Sequence, residues 1–99
     1  MIIVYGIIET TSDSIAALTD AITKMEKATR EEAGCIDYTF SVAISDPNCI
    51  RISEKWESEA ALKAHMSAPH MGEFQQAIAA NPPLSADIQF FQAEEISMS

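Results

Sequence analysis

Ninety-nine residues suffice for one domain spanning residues 1–99, and a domain of that size buries only about 60–65% of the surface its unfolded chain exposes, so its core is modest. Hydrophobic residues make up 47% of the chain and charged ones 21%, which excludes a disordered tail. Six Lys and Arg against fifteen Asp and Glu give a net charge of −9, which argues against nucleic acid and anionic lipid as partners.

The run Ile2 to Ile8 is apolar but far too short to span a bilayer. It also lacks the basic flank and small-residue cleavage site of a signal peptide, so a cytoplasmic protein with no membrane partner is expected. Met1 to Thr10 is β-branched and apolar on both alternating faces, Ile3/Tyr5/Ile7 and Ile2/Val4/Ile8, the pattern of a central strand covered on both sides. Thr11, Ser12 and Ser14 are candidate N-caps for the helix that follows, and Asp13 suits the positive end of its dipole. Ile15, Leu18, Ile22 and Met25 form one apolar stripe on that helix, and Gly34 is its C-terminal stop.

A second strand alternates Ile36, Tyr38, Phe40, Val42 and Ile44 with Asp37, Thr39, Ser41 and Ala43. Asp46-Pro47-Asn48 carries turn chemistry. A third strand sets Ile50, Ile52, Glu54 and Trp56 against Arg51, Ser53, Lys55 and Glu57, which predicts a hairpin. Ser58 caps a short helix on which Leu62, His65 and Met66 share a face, and Ser67-Ala68-Pro69 breaks it and opens another. Met71, Phe74 and Ile78 form the stripe of that next helix, Asn81-Pro82-Pro83 ends it, and a last strand is predicted from Asp87 to Ile96.

The order βαββαβ predicts an α+β, ferredoxin-like fold: a four-stranded antiparallel sheet with the helices on one face. The first strand is apolar on both faces, and the last offers Ile88 and Phe90 on one and Phe91 and Ala93 on the other. A second copy of the chain is therefore expected on the uncovered face, giving a homodimer.

The runs E-A-G-C-I-D-Y (Glu32 to Tyr38), S-E-K-W-E-S-E-A-A-L-K-A-H (Ser53 to His65) and the following S-A-P-H-M resemble the antibiotic biosynthesis monooxygenase family. The resemblance extends over the chain in element order and is strongest from Glu32 to Ile78. It implies a dimeric α+β barrel with helices outside, and one of several chemistries, among them quinol oxidation, anthrone oxidation and haem degradation. Haem-degrading members have a Trp near the position of His65, a His near Gln75 and an Asn near Gly6 or Ile7, none of which is matched here, so haem degradation is disfavoured.

His65 lies on the apolar face of its helix, where a partly buried imidazole can serve as a general base towards a phenol or carbon acid. The structural alternative is a core histidine held by backbone or by a neighbouring carboxylate. His70 sits in the first turn after Pro69, where the helix dipole disfavours imidazolium. Glu54 points into an apolar layer and so needs a partner. Tyr38 and Trp56 are candidates to line a flat aromatic pocket, with Phe40, Met66 and Phe74 completing its wall. His65 and His70 lie five apart across a proline break with no H-E-x-x-H, cysteine cluster or close carboxylate–histidine pairing in view, so no metal site is expected. Cys35 and Cys49 are too far apart along the hairpin to form a disulfide, and no glycine-rich nucleotide loop is present, so no cofactor is expected.

Three function classes remain. The first is a cofactor-independent monooxygenase acting with O2 on a quinol, phenol or anthrone, with His65 as base, His70 or Tyr38 as orienting donors and Trp56 as wall. The second is a non-oxidative isomerase or decarboxylase, and the third a non-catalytic small-molecule-binding or stress-response dimer.

Overall fold

The structure, a computed structural model, describes all 99 residues. Its elements run β1 (Ile2–Glu9), α1 (Ser12–Arg30), β2 (Cys35–Ala43), β3 (Asp46–Trp56), α2 (Glu59–Met66), α3 (Pro69–Ala80) and β4 (Ser85–Gln92). The four strands form one antiparallel sheet in the order β2-β3-β1-β4, the ferredoxin-like α+β arrangement predicted from element order.

β1 is central, with Ile2 opposite Trp56 on one side and Gln92 on the other. Its even-numbered residues face the helices. Ile2 and Val4 are buried there with Trp56 and Tyr38 of the sheet, Met25 of α1 and Leu62 of α2. α1 begins at Thr11, whose side-chain oxygen accepts from Ser14 N, and buries Leu18, Met25 and Thr29. β3 alternates as its sequence requires: Ile50, Ile52, Glu54 and Trp56 are buried, and the residues between them are more exposed.

The hairpin departs from expectation at both ends. The turn falls at Ile44-Ser45, and Asp46 pairs with Ala43, so Asp46-Pro47-Asn48 enters the sheet as an irregularity instead of making the turn. The turn chemistry is still used: Asp46 Oδ1 accepts from Asn48 N at 3.0 Å, and Asn48 Oδ1 accepts from Ser12 N at 2.8 Å, which ties the hairpin to the start of α1. At the other end the register shifts between Cys35 and Asp37, so Ile36 leaves the apolar face and Cys35 packs against the core in its place. Such a bulge costs one residue of alternation.

Two further differences have simple causes. Met66 is exposed because α2 ends there, and only Leu62 and His65 lie beneath the helix. The last strand begins and ends earlier than predicted, since it pairs with β1 along the register Ile2↔Gln92 to Glu9↔Ser85 and has no partner strand beyond. Both cysteines are free. No helix is long and apolar enough to cross a membrane.

Candidate functional site

The site is assembled where the turn after α1 meets the break between α2 and α3. Gly34 adopts φ +83°, a conformation open to glycine, and a Cβ there would stand 2.6 Å from the Ala61 Cβ of α2. The turn therefore lies directly against α2, anchored by Glu57 N donating to Gly34 O at 2.8 Å. That close approach carries Glu32 to the histidines. α2 starts at Ser58, whose hydroxyl accepts from Ala61 N, and its one buried face presents Leu62 and, one turn later, His65. Pro69 occupies the first turn of α3 and places His70 beside it.

One carboxylate oxygen bridges the two imidazoles. Glu32 Oε2 lies 2.7 Å from His65 Nδ1 and 2.7 Å from His70 Nε2, both at the short end of the hydrogen-bond range. The environments differ sharply: the His65 side chain is 1% exposed, Glu32 16% and His70 20%. The His65 ring is held between Trp56 and Tyr38, with ring centroids 4.9 and 5.3 Å away. On the inner side Trp56 Nε1 donates to Glu54 Oε1 at 2.9 Å, so a second carboxylate backs the cluster.

Burial dominates the electrostatics. It pushes the Glu54 carboxyl up, opposed by the Trp56 hydrogen bond and by His65. Burial, and then Glu54 and Glu32, push the Tyr38 hydroxyl far up, so this phenol stays protonated. The Cys35 thiol is raised by burial and then by Glu32, which leaves it a poor nucleophile.

A cleft of about 180 Å³ opens at the outer edge of the cluster, lined by Ala21, Lys24, Met25, His70, Glu73 and Phe74. A cavity of about 150 Å³ accommodates benzene, so the space suits a single aromatic ring. Of the side chains singled out from the sequence, His70 and Phe74 line this cleft. His65, Tyr38, Trp56 and Glu54 form the buried support behind it. Phe40 packs edge-on against Phe74 at 5.6 Å but also lines a separate cleft against α1, and Met66 lies on the outer surface away from both.

Glu32 is the residue that sequence reasoning missed. It is 33 and 38 positions from its two partners, so no local spacing exposes it. Gly34 is not the stop of α1, which ends at Arg30 with Glu31 as its cap, but the left-handed residue of the turn beyond it. The available signal was the place of Glu32 in that glycine turn, together with a buried histidine in need of a carboxylate. The absence of a close carboxylate–histidine pairing expected from sequence is thereby corrected. The donor atoms of Glu32, His65 and His70 all lie within 4.8 Å of one another, near enough for a proton to pass between them or for a cation to gather them.

Fold and site together define a ferredoxin-like α+β protein with a carboxylate-bridged histidine pair at the edge of an aromatic-sized cleft. The profile of the antibiotic biosynthesis monooxygenase family matches residues 1–77, and the chain belongs to that family. A Deinococcus radiodurans protein carrying the provisional name antibiotic biosynthesis monooxygenase superposes with a TM-score of 0.90 at 25% identity, over 100% of this chain and 98% of its own. A Nitrosomonas europaea protein with the same provisional name gives 0.86 at 14% identity, over 94% and 98% of the two chains. A Mycobacterium tuberculosis protein gives 0.84 at 18% identity, over 98% of each. The last two likenesses bear on fold alone. No curated protein matches the chain.

Proposed function

We propose that this chain is a cofactor-independent monooxygenase that uses O2 to oxidise a small electron-rich aromatic, a quinol, phenol or anthrone. The observation that carries the reading is the imidazole–carboxylate–imidazole cluster opening onto a cleft of one-ring size through His70. With its Nε2 engaged by Glu32, His70 turns Nδ1 to chemistry as the base that takes the substrate proton. Glu32 fixes that ring and stabilises the imidazolium that results, and His65 fixes Glu32 from its buried side. The sequence alone favoured His65 as base. Its 1% exposure and its place behind Glu32 make it the positioning member of this reading.

Deprotonation makes the substrate an electron donor. The anion passes one electron to O2, the radical and superoxide combine at carbon, the resulting peroxide takes back the proton held by His70, and the hydroperoxide loses water to leave a carbonyl. One oxygen atom enters the product and the other leaves as water. Met25 and Phe74 supply the apolar side of the cleft against which an aromatic ring can lie. Residues 1–99 are taken as one domain acting as a homodimer. Binding without catalysis is the second reading, favoured by the complete burial of Trp56 and the near-complete burial of His65, which leave one imidazole accessible.

The test is O2 uptake by chelator-treated protein against a panel of quinols and anthrones. Saturable uptake that falls about 10²–10⁴-fold in His70→Ala, the range of a lost general base, supports the oxygenase. Uptake equal to the uncatalysed background across the panel, with the same compounds still bound, would move the chain to the binding class.

A further inference from the structure

We propose that Glu32, His65 and His70 form a binding site for a first-row divalent metal ion of the Zn(II) class. Three donor atoms from three separate elements converge on one point: Nδ1 of one imidazole, Nε2 of the other and a shared carboxylate oxygen. Two imidazoles and one carboxylate, with coordination positions left open, are a donor set suited to borderline divalent ions.

The dimensions fit. Ligand bonds of about 2.0–2.2 Å set neighbouring donors about 3.0–3.5 Å apart, so each 2.7 Å contact needs to open by less than about 1 Å. Rotation of the Glu32 and His70 side chains, neither of which is fully buried, supplies that movement. His65 is already locked by Trp56 and Tyr38, the kind of outer support that holds a ligand ring in one orientation.

Charge points the same way. No Lys or Arg pairs with Glu32, whose ion-pair partners are the two histidines alone. A second buried carboxylate, Glu54, stands behind them through Trp56. Glu32 and His70 are both part-exposed, so water or a ligand oxygen can reach the ion from their side and complete the shell.

The consequence goes beyond the proposed oxygenase. A neutral imidazole coordinated through Nε2 carries its proton on Nδ1, so a metal-loaded His70 is no longer a base. Metal binding and base catalysis therefore exclude one another, and Zn(II) is expected to inhibit metal-free oxidation.

The experiment titrates chelator-stripped protein with Zn(II) by calorimetry and with Co(II) by visible absorption. Expected are one ion per chain, Co(II) bands of a four- or five-coordinate nitrogen–oxygen site, and at least a 100-fold loss of affinity in both His70→Ala and Glu32→Gln. His70 is partly exposed, so its variant tests the site even if one at buried His65 fails to fold. Affinity unchanged in the two variants, or a Co(II) spectrum matching the aqueous ion, overturns the site and leaves a hydrogen-bonded triad. The two proposals fail separately: quinol oxidation in chelator without Co(II) binding removes the metal site alone, and Co(II) binding without oxidation in either form removes the oxygenase alone.

Discussion

At the scale of single residues, two buried polar groups show how the core is tuned. Glu54 sits among apolar neighbours with Trp56 Nε1 as its hydrogen-bond donor, while His65 of α2 and Glu32 of the turn act on it from opposite signs. Burial raises its carboxyl above the ordinary value of 4.5. Between that value and the raised one, the unfolded chain has lost the proton that the folded chain keeps. The stabilisation is thus full below the ordinary value and is lost as pH rises through the folded value. Urea midpoints of chelator-treated protein are expected to fall across this interval for the wild type and to fall less for Glu54→Gln, which keeps an acceptor for Trp56. Parallel curves for the two proteins would remove Glu54 as the cause. Thr29 is the complementary case, fully buried with a hydroxyl that has no hydrogen-bond partner. Thr29→Val fills the same space without that group and is expected to stabilise the fold by about 1 kcal/mol, read from the urea midpoint.

At the scale of elements, the turn that docks Glu32 against α2 depends on one glycine. Gly34→Ala meets two separate penalties: a left-handed conformation costing about 1–2 kcal/mol for a residue with a side chain, and a Cβ placed 2.6 Å from that of Ala61. Ala61→Gly relieves the second alone but itself costs about 1 kcal/mol in helix α2, so the comparison is made in that background, where adding Gly34→Ala is expected to cost only about 1–2 kcal/mol. No cost in that background would mean that the backbone angle costs nothing. These elements were largely legible in the sequence. The α1 stripe, the Ser58 cap, the Pro69 start and the β3 alternation each rest on a short-range pattern that the structure keeps. The misreadings fall where one residue breaks a period. The shift between Cys35 and Asp37 expels Ile36, and the Asx bond of Asp46 opens an irregularity instead of the turn. The site was legible as His65, His70 and their aromatic support. It was not legible as a cluster, because the approach of Glu32 comes from tertiary contact between Gly34 and Ala61.

At the scale of the whole molecule, the chain is a slab 39 × 34 × 19 Å, one layer of helices on one layer of sheet. Only 15 of its 99 residues are buried, because the face of the sheet turned away from the helices has nothing over it. On that face Ile3, Tyr5 and Ile7 of β1 stand opposite Phe91, Gln89 and Asp87 of β4 on one side and Lys55, Ser53 and Arg51 of β3 on the other. Tyr5 is 42% exposed and Phe91 48%, an apolar patch framed by charge and by the Arg51–Tyr5 hydrogen bond. A patch of this kind suits an interface, and a second copy presenting the same patch would satisfy the symmetry of a two-fold dimer. The expected species in sedimentation velocity is therefore a dimer at twice the 10.8 kDa chain mass. Phe91→Glu would bury a charge without a partner and should shift that species to monomer, with a lower melting temperature because the core of each copy is small. Met66→Glu, on the helical side of the slab, should leave the mass unchanged. A wild-type chain that sediments at 10.8 kDa at about 100 μM, some hundredfold above a micromolar dissociation constant, would show that the patch is not a self-association surface.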